Sequence, residues 1–217
     1  MAEPIREEMG MVQVIKKMKK ISLILILLFL FSMSMFARQE KDEEPLLFEQ
    51  PLLITSAGQS ADVHLASVLA KKAELTSILS KVATSEDLEN IKTLVLVIGA
   101  SLKGLGAAGL DVAKEKKRVN LLIEEAQKKN IPLLCLHLGG EARRGQLSDE
   151  FISTFFPYAK MAIVVKSGNK DGIFTRICNE KNIPLIEVEK TIDALEPFKQ
   201  AFKSISQDGL DCLDDIE

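Results

Sequence analysis

The sequence has few aromatic rings and few metal-binding side chains. Among its 217 residues there is no tryptophan, one tyrosine, two histidines and three cysteines. An odd number of cysteines without a Cys-x-x-Cys pair is not a disulfide scaffold. We expect buried thiols at Cys135 and Cys178, with a bridge between them as the alternative. Cys135 and His137 share a strand face, but two ligands do not make a closed zinc site, so we expect no metal.

Excess positive charge is also absent. Residues 1–37 contain five basic residues and three glutamates, so without them the formal net charge of −3 becomes −5. A nucleic-acid-binding protein needs a basic footprint. We therefore expect no nucleic-acid partner.

The one long apolar run lies near the N-terminus. The basic cluster Lys16–Lys20 precedes the apolar run Ile21–Phe31 and the small residue Ala37, an order typical of a secretory signal. We predict residues 1–37 as a cleaved signal peptide, with an uncleaved membrane segment as the alternative and with either Met1 or Met18 as the start. The expected location is outside the cytoplasm, in the periplasm, at the cell surface or secreted.

The rest of the chain alternates short apolar runs with amphipathic stretches. Such alternation indicates a parallel sheet with right-handed crossovers. We predict a three-layer, flavodoxin-like or Rossmann-like doubly wound sheet of five or six strands, in the order 2-1-3-4-5 with a possible sixth. The wholly apolar run that ends at Ile98 is its central strand, because strands buried on both faces read as continuous apolar runs. The predicted boundaries are a linker at 38–50, the α/β domain at 51–204 and an acidic tail at 205–217.

Four glycine-bearing loops follow the carboxyl ends of these strands, where doubly wound sheets bind ligands. They span Ser56–Ser60, Ser101–Gly109, Gly139–Gln146 and Lys166–Gly172. The loops bring five basic residues to one edge of an acidic protein: Lys103, Arg143, Arg144, Lys166 and Lys170. The predicted ligand-binding residues are Ser56, Gly58, Gln59, Ser60, Lys103, Gly104, Gly106, Gly139, Gly140, Arg143, Arg144, Asn169 and Lys170.

Two of these loops imitate nucleotide-binding motifs. Gly104-Leu-Gly106-Ala-Ala-Gly109 has the G-x-G-x-x-G spacing, but it begins too far after Ile98 for a dinucleotide fingerprint; an anion-contacting loop and a merely structural loop remain. Thr55–Ser60 resembles the phosphate loop of flavodoxins, yet the chain lacks the aromatic residues that sandwich a flavin. Capping of a helix by Ser60 is the alternative there. We expect no cofactor.

The charged and nucleophilic residues leave further alternatives. Arg143 and Arg144 could clamp a carboxylate or phosphate, or they could be a solvated pair. Asp62, Asp111 and Asp149 stand near helix starts, where capping is the default role. No Gly-x-Ser-x-Gly elbow occurs, and nothing in the pattern announces a catalytic triad.

Taken in order, the four loops resemble those of a family of exported bacterial α/β domains of unknown function. The resemblance covers about Pro51 to Val188 and implies export and a shared loop edge, but no mechanism. The leading hypothesis is a binding module for a small anionic metabolite; whether the chain is an enzyme is left open, with a non-enzymatic role favoured. The alternatives are an extracytoplasmic hydrolase or transferase acting on such an anion, and an accessory module that binds a membrane protein such as a transporter. The oligomeric state is left open.

Overall fold

The computed structural model describes Met18 and residues 48–202. Apart from Met18, the signal predicted above lies outside these residues, as do most of the linker and the acidic tail. Among the residues described, no helix has the length and apolar character needed to cross a membrane. The six strands are β1 (Leu52–Ala57), β2 (Ser77–Leu79), β3 (Thr93–Ile98), β4 (Leu133–His137), β5 (Met161–Val165) and β6 (Leu185–Val188).

Six helices of the described region connect or follow these strands. They are α1 (Asp62–Lys72), α2 (Leu102–Ala107), α3 (Val112–Lys128), α4 (Gln146–Phe155), α5 (Ile173–Lys181) and α6 (Leu195–Gln200). Short 3-10 turns cover Ser85–Leu88, Gly140–Arg143, Phe156–Tyr158, Lys166–Asn169 and Thr191–Ala194.

The strands form one fully parallel sheet in the order β2-β1-β3-β4-β5-β6. This confirms the predicted doubly wound order, with the sixth strand added beside β5. Strand β3 lies between β1 and β4, and all six of its residues are buried. The apolar run ending at Ile98 is therefore central, as its lack of polar residues indicated.

Two apolar layers cover the two faces of the sheet. Leu94, Leu96 and Ile98 of β3 point into the layer formed with α3, α4 and α5. Val95 and Val97 point to the opposite face, where α1 and α6 pack. Full burial of one such side chain contributes about 1.5–3 kcal/mol, so the alternation in β3 fixes its register and helps to hold the three layers together.

The structure corrects three local expectations. The Ser101–Gly109 stretch is mostly helical, because Ser101 caps α2 by accepting a hydrogen bond from the Gly104 amide, and Leu105 is buried. The β-branched residues between Leu75 and Val82 favour an edge strand over that stretch, but only the three residues of β2 form one, at the sheet margin. Cys135 and Cys178 are free buried thiols, so the alternative of a bridge between them is wrong.

Candidate functional site

The loops after β1 and β3 lock together where these strands end. The Ser60 amide donates to the Gly99 carbonyl at 3.1 Å, and the Ser101 amide donates to the Gly58 carbonyl at 2.8 Å. Gly58 has φ +102°, and a Cβ there would lie 2.7 Å from the Ala100 Cα. Only glycine suits that position. The absence of a Cβ at Gly58 therefore allows the loops after β1 and β3 to pack closely.

Helix α2 packs over the same junction. A Cβ on Gly104 would lie 2.0 Å from the Gln59 carbonyl oxygen, whereas one on Gly106 would meet nothing within 4 Å. Gly104 is thus a packing glycine between α2 and the β1 loop. Of the two predicted ligand glycines in α2, Gly106 is the one whose surroundings are open.

A buried ion pair holds the β1 loop from beneath. Glu115 is fully buried and accepts hydrogen bonds from the Gly58 amide and the Gln59 Nε2, both at 3.0 Å. It also accepts from Nε and Nη2 of Arg118, each at 2.8 Å. Gln59 and Gly58 are therefore committed to the framework, although both were predicted to bind ligand.

Arg143 reaches across the edge to Asp62, which begins α1. Its Nε donates to both carboxylate oxygens of Asp62, at 3.0 and 3.2 Å, and Asp62 is only 4% exposed. Within the described residues, the two terminal nitrogens of Arg143 make no hydrogen bond, and about a third of its side chain is exposed. A buried carboxylate thus orients this guanidinium while leaving its outer N–H groups available.

Glycines clear the space around Arg143. A Cβ on Gly139 would lie 2.0 Å from Arg143 Cγ and 2.4 Å from the Asp62 carboxylate. A Cβ on Gly99 would come within 3.2 Å of the Ser60 hydroxyl and 3.8 Å of Arg143 Cβ. The structure therefore brings Ser60 of the β1 loop together with Gly139 and Arg143 of the β4 loop, two predicted loops that lie far apart in the chain.

Arg144 has a different environment. Its Nε donates to Asp149 at 2.7 Å, and its terminal nitrogens donate to Asp171 at 3.0 and 2.8 Å and to the Gly168 carbonyl. The adjacent guanidinium lowers the pKa of Asp171 to about 2, and the two carboxylates raise the pKa of Arg144. All three nitrogens of Arg144 are used, so it ties the β4 and β5 loops together rather than facing a ligand.

The β5 loop is largely committed to internal contacts as well. Asn169 donates to Thr175 and Glu187 and accepts from the Phe174 amide, which fixes the start of α5. Lys170 pairs with Glu141, and Lys166 pairs with Glu189 at 2.9 Å. Among the five predicted basic residues, Lys103 alone forms no ion pair with the described part of the chain.

The remaining predicted residues at this edge contribute hydroxyls and bare backbone. The Ser60 hydroxyl accepts from the Asp62 amide at 3.3 Å, but the N-cap residue of α1 is Ala61 and no side chain caps the helix, so the alternative of capping by Ser60 is wrong. The Ser56 hydroxyl is buried and has no hydrogen-bond partner among the described residues. Gly140 has φ +56°, and a Cβ there would lie 2.3 Å from the Ser167 hydroxyl. The lack of a side chain at Gly140 therefore lets the β5 loop pack closely against it.

His137 supports the β4 loop from inside. Its Nδ1 lies 3.0 Å from the Ile98 carbonyl and its Nε2 lies 3.1 Å from the Gly140 carbonyl. A neutral imidazole has a single N–H, so it can donate to only one of the two. Burial lowers the pKa of His137, while both carbonyls and Asp62 act in the opposite direction. No described serine hydrogen-bonds to a histidine, and the described residues contain no cluster of three metal-ligating side chains.

Sequence reasoning missed the acidic partners of this edge. Asp62 was considered only as a helix cap, and Glu115 and Arg118 were not singled out. One signal was present for Glu115, since it stands on the α3 stripe with Val119, Leu122 and Ala126 and is buried with them. No local pattern links Arg143 to Asp62, which are 81 positions apart.

Comparison with known proteins identifies the family. The chain belongs to the family described as "Domain of unknown function (DUF6305)", whose profile matches residues 49–202. No curated protein matches it. Among solved structures, it is similar to a lipolytic protein of the G-D-S-L family from Desulfitobacterium hafniense DCB-2, with 13% identity, a TM-score of 0.30 and coverage of 63% of this chain and 75% of that one. It is also similar to the SGNH-hydrolase family esterase AlinE4, with 13% identity, a TM-score of 0.28 and coverage of 75% and 88%. These likenesses are too weak to transfer an activity.

Proposed function

We propose that this member of the DUF6305 family binds a small carboxylate or phosphate at the carboxyl edge of its sheet, outside the cytoplasm. The observation that carries the proposal is the state of Arg143. Its Nε is held by buried Asp62, and its two terminal nitrogens have no partner in the described structure. Those nitrogens form the planar fork that matches a carboxylate or phosphate.

Three features of the carboxyl edge support an anion there. Lys103, at the start of α2, supplies a second cation that pairs with no acid of the described residues. Gly139 and Gly99 leave bare backbone beside the Arg143 side chain. The Ser60 hydroxyl lies against Gly99 and adds a polar group. The carboxyl edge is also where open parallel sheets place their ligands. The proposed ligand contacts are therefore Ser60, Lys103, Gly139 and Arg143, whereas Arg144, Asn169 and Lys170 shape the loops.

Binding fits this edge better than catalysis does. General base catalysis needs a titratable group within hydrogen-bond reach of the reacting atom, with a pKa near the working pH. His137 directs both ring nitrogens at backbone carbonyls, and burial lowers its pKa. The Asp62 carboxylate is engaged with Arg143. Neither group is free to take a proton from a ligand.

A thermal-shift titration of the full chain tests the proposal. The probes are acetate, citrate and inorganic phosphate, with chloride at equal ionic strength as the reference. A ligand present at about 100 times its Kd stabilises by about 2.7 kcal/mol, which is a rise in Tm of roughly 5–11 °C for a domain of this size. The Arg143→Gln variant removes charge-assisted hydrogen bonds of about 1.5–3 kcal/mol, so the affinity should fall roughly 10- to 150-fold.

Arg176→Gln is the matched control, because Arg176 is exposed on α5 and its side chain makes no ion pair with a described residue. It should leave the anion-dependent rise in Tm unchanged. Equal losses of the anion-dependent rise in Tm in the two variants would show that anion binding depends on net charge rather than on this site. No shift with any of the three anions would remove the proposal.

The location outside the cytoplasm is tested separately. Fractionation of cells that produce the full chain should place it outside the cytoplasm, and mass spectrometry of the purified protein should show either a new N-terminus near Ala37 or an intact N-terminal segment in the membrane fraction. Recovery of the intact chain in the cytoplasmic fraction would contradict export.

A further inference from the structure

The opposite edge of the sheet, where the strands begin, carries a groove. One cleft of about 420 Å³ lies between the segments that lead into β4 and β5 and the end of α5. A second cleft of about 340 Å³ lies between the segments that lead into β1, β3 and β4. The two share Asn130, Ile131 and Pro132. We call this continuous feature the amino-edge groove.

The amino-edge groove is lined by four lysines and one acid. The lysines are Lys92, Lys129, Lys160 and Lys181, and the acid is Glu49. Lys129 lies 3.8 Å from Glu125, whereas Lys92, Lys160 and Lys181 form no ion pair with any residue described. This contrasts with the carboxyl edge, where four of five cations are paired internally.

Complementing a helix dipole explains the position of only two of these lysines. Lys129 and Lys181 stand at the C-terminal ends of α3 and α5, where a cation complements the helix dipole. Lys92 and Lys160 precede strands instead, and both are exposed. The groove also has an apolar component, since Tyr158, Pro157 and Ile131 line it and Tyr158 is 43% exposed. Its chemistry suits an acidic segment that also carries apolar side chains.

The chain itself supplies such a segment. Residues 203–217 hold four aspartates and one glutamate against a single lysine, together with Ile205, Leu210, Leu213 and Ile216. The described structure ends at Phe202, which pairs with Phe48 beside the groove residue Glu49. The segment therefore departs from the groove's own edge of the sheet.

The distances allow the contact. Neighbouring strands lie about 4.8 Å apart, so the three steps from β1 to β5 cover about 14 Å. Six residues, from Lys203 to Asp208, can span about 20 Å when extended. The acidic residues can thus reach Lys160 and Lys181 at the far end of the groove.

We propose that the amino-edge groove binds residues 203–217 of its own chain, with the aspartates meeting Lys92, Lys160 and Lys181. Docking leaves the carboxyl edge untouched, so this proposal does not depend on the anion site. The groove is then an interaction surface for an acidic, partly apolar peptide, and residues 203–217 of the same chain occupy it.

Cys212 gives a selective probe of the docked segment. Cys135 and Cys178 are buried with raised thiol pKa values, so a maleimide fluorophore should label Cys212 in the folded full chain. Docking should hold the fluorophore's anisotropy well above that of the same labelled peptide free in solution. Raising the salt from about 0.05 to 0.5 M should bring the two values together, because screening weakens exposed ion pairs.

The variant Lys92→Glu/Lys160→Glu/Lys181→Glu should give the low anisotropy without added salt. The matched variant Lys81→Glu/Lys117→Glu/Lys190→Glu makes the same charge change at exposed lysines away from the groove and should keep the high value. Carbodiimide cross-linking of the unlabelled chain should join the acids of 203–217 to groove lysines at least about threefold more often than to those control lysines.

Three results would overturn the proposal. One is an anisotropy equal to that of the free peptide at low salt. Another is an equal response of the two triple variants. The third is an anisotropy that rises with protein concentration, which would place the segment on a second copy rather than on its own chain.

Discussion

Replacing the buried carboxylate of Glu115 should cost more stability than any exposed substitution on the same helix. Glu115 accepts four hydrogen bonds, from Gly58, Gln59 and twice from Arg118, and its side chain is fully buried. Glu115→Gln places an amide nitrogen among donors and leaves the Arg118 guanidinium, 11% exposed, without its counter-charge. Breaking a buried pair in this way costs about 3–5 kcal/mol.

The loss should appear in urea unfolding followed by far-ultraviolet circular dichroism, since the chain has no tryptophan for fluorescence. With about 2–4 °C of Tm per kcal/mol for a domain of this size, the thermal midpoint should fall by roughly 6–20 °C. Glu124→Gln, at an exposed position of α3, should change the free energy of unfolding by less than about 0.5 kcal/mol. A cost of less than about 1 kcal/mol for Glu115→Gln would refute this reasoning. In a double-mutant cycle with Arg118→Gln, the two contacting residues should couple by about 0.5–3 kcal/mol, and additive losses would also refute it.

Three further predictions follow from contacts in the loops and strands. Arg144→Gln should lower the free energy of unfolding by about 1–3 kcal/mol in urea titrations, since it removes contacts to Asp149, Asp171 and the Gly168 carbonyl; an unchanged free energy of unfolding would contradict the role assigned to Arg144. Because burial lowers the pKa of His137, its neutral form is favoured in the folded state. The contribution of this pKa difference to the free energy of unfolding is fully present above about pH 6.5, the pKa of histidine in the unfolded chain. It is lost as the pH falls through the lower pKa of His137 in the folded state. His137→Asn should flatten the fall of Tm on the acidic side of a Tm-against-pH curve. A curve unchanged by the substitution would contradict this role of His137. Finally, burial raises the pKa of Cys178 to about 11 and that of Cys135 further, so neither thiol should react with a disulfide reagent at pH 8 until urea unfolds the chain; rapid labelling of either in the folded protein would show that the layer over β4 is more open than described.

The fold was predictable because its signals are local and repeated. Each apolar run that ends in a polar, glycine-bearing stretch became a parallel strand, and the lack of polar residues before Ile98 identified the central one. The short α2 was missed because Gly104 and Gly106 have low helix propensity. The Ser101 cap and the burial of Leu105 outweigh that propensity.

The convergence of the loops that form the candidate site was predictable, but their side-chain contacts were not. Parallel strands bring their following loops to one edge, so the convergence of Ser60, Gly139 and Arg143 follows from topology. Which of two adjacent arginines keeps free nitrogens depends on carboxylates elsewhere, Asp62 for Arg143 and Asp149 and Asp171 for Arg144. Such pairings are set by side-chain geometry between loops, which sequence spacing does not encode.

Nuclear magnetic resonance titration of the ¹⁵N-labelled full chain with inorganic phosphate or citrate tests the central claim most directly. The account predicts that the largest shift changes fall on the Gly99 and Gly139 amides and on the Arg143 Nε–H, and that Arg143→Gln abolishes them while Arg176→Gln does not. Shift changes centred on Asn130 and Lys160 at the amino edge, or equal in the two variants, would contradict it.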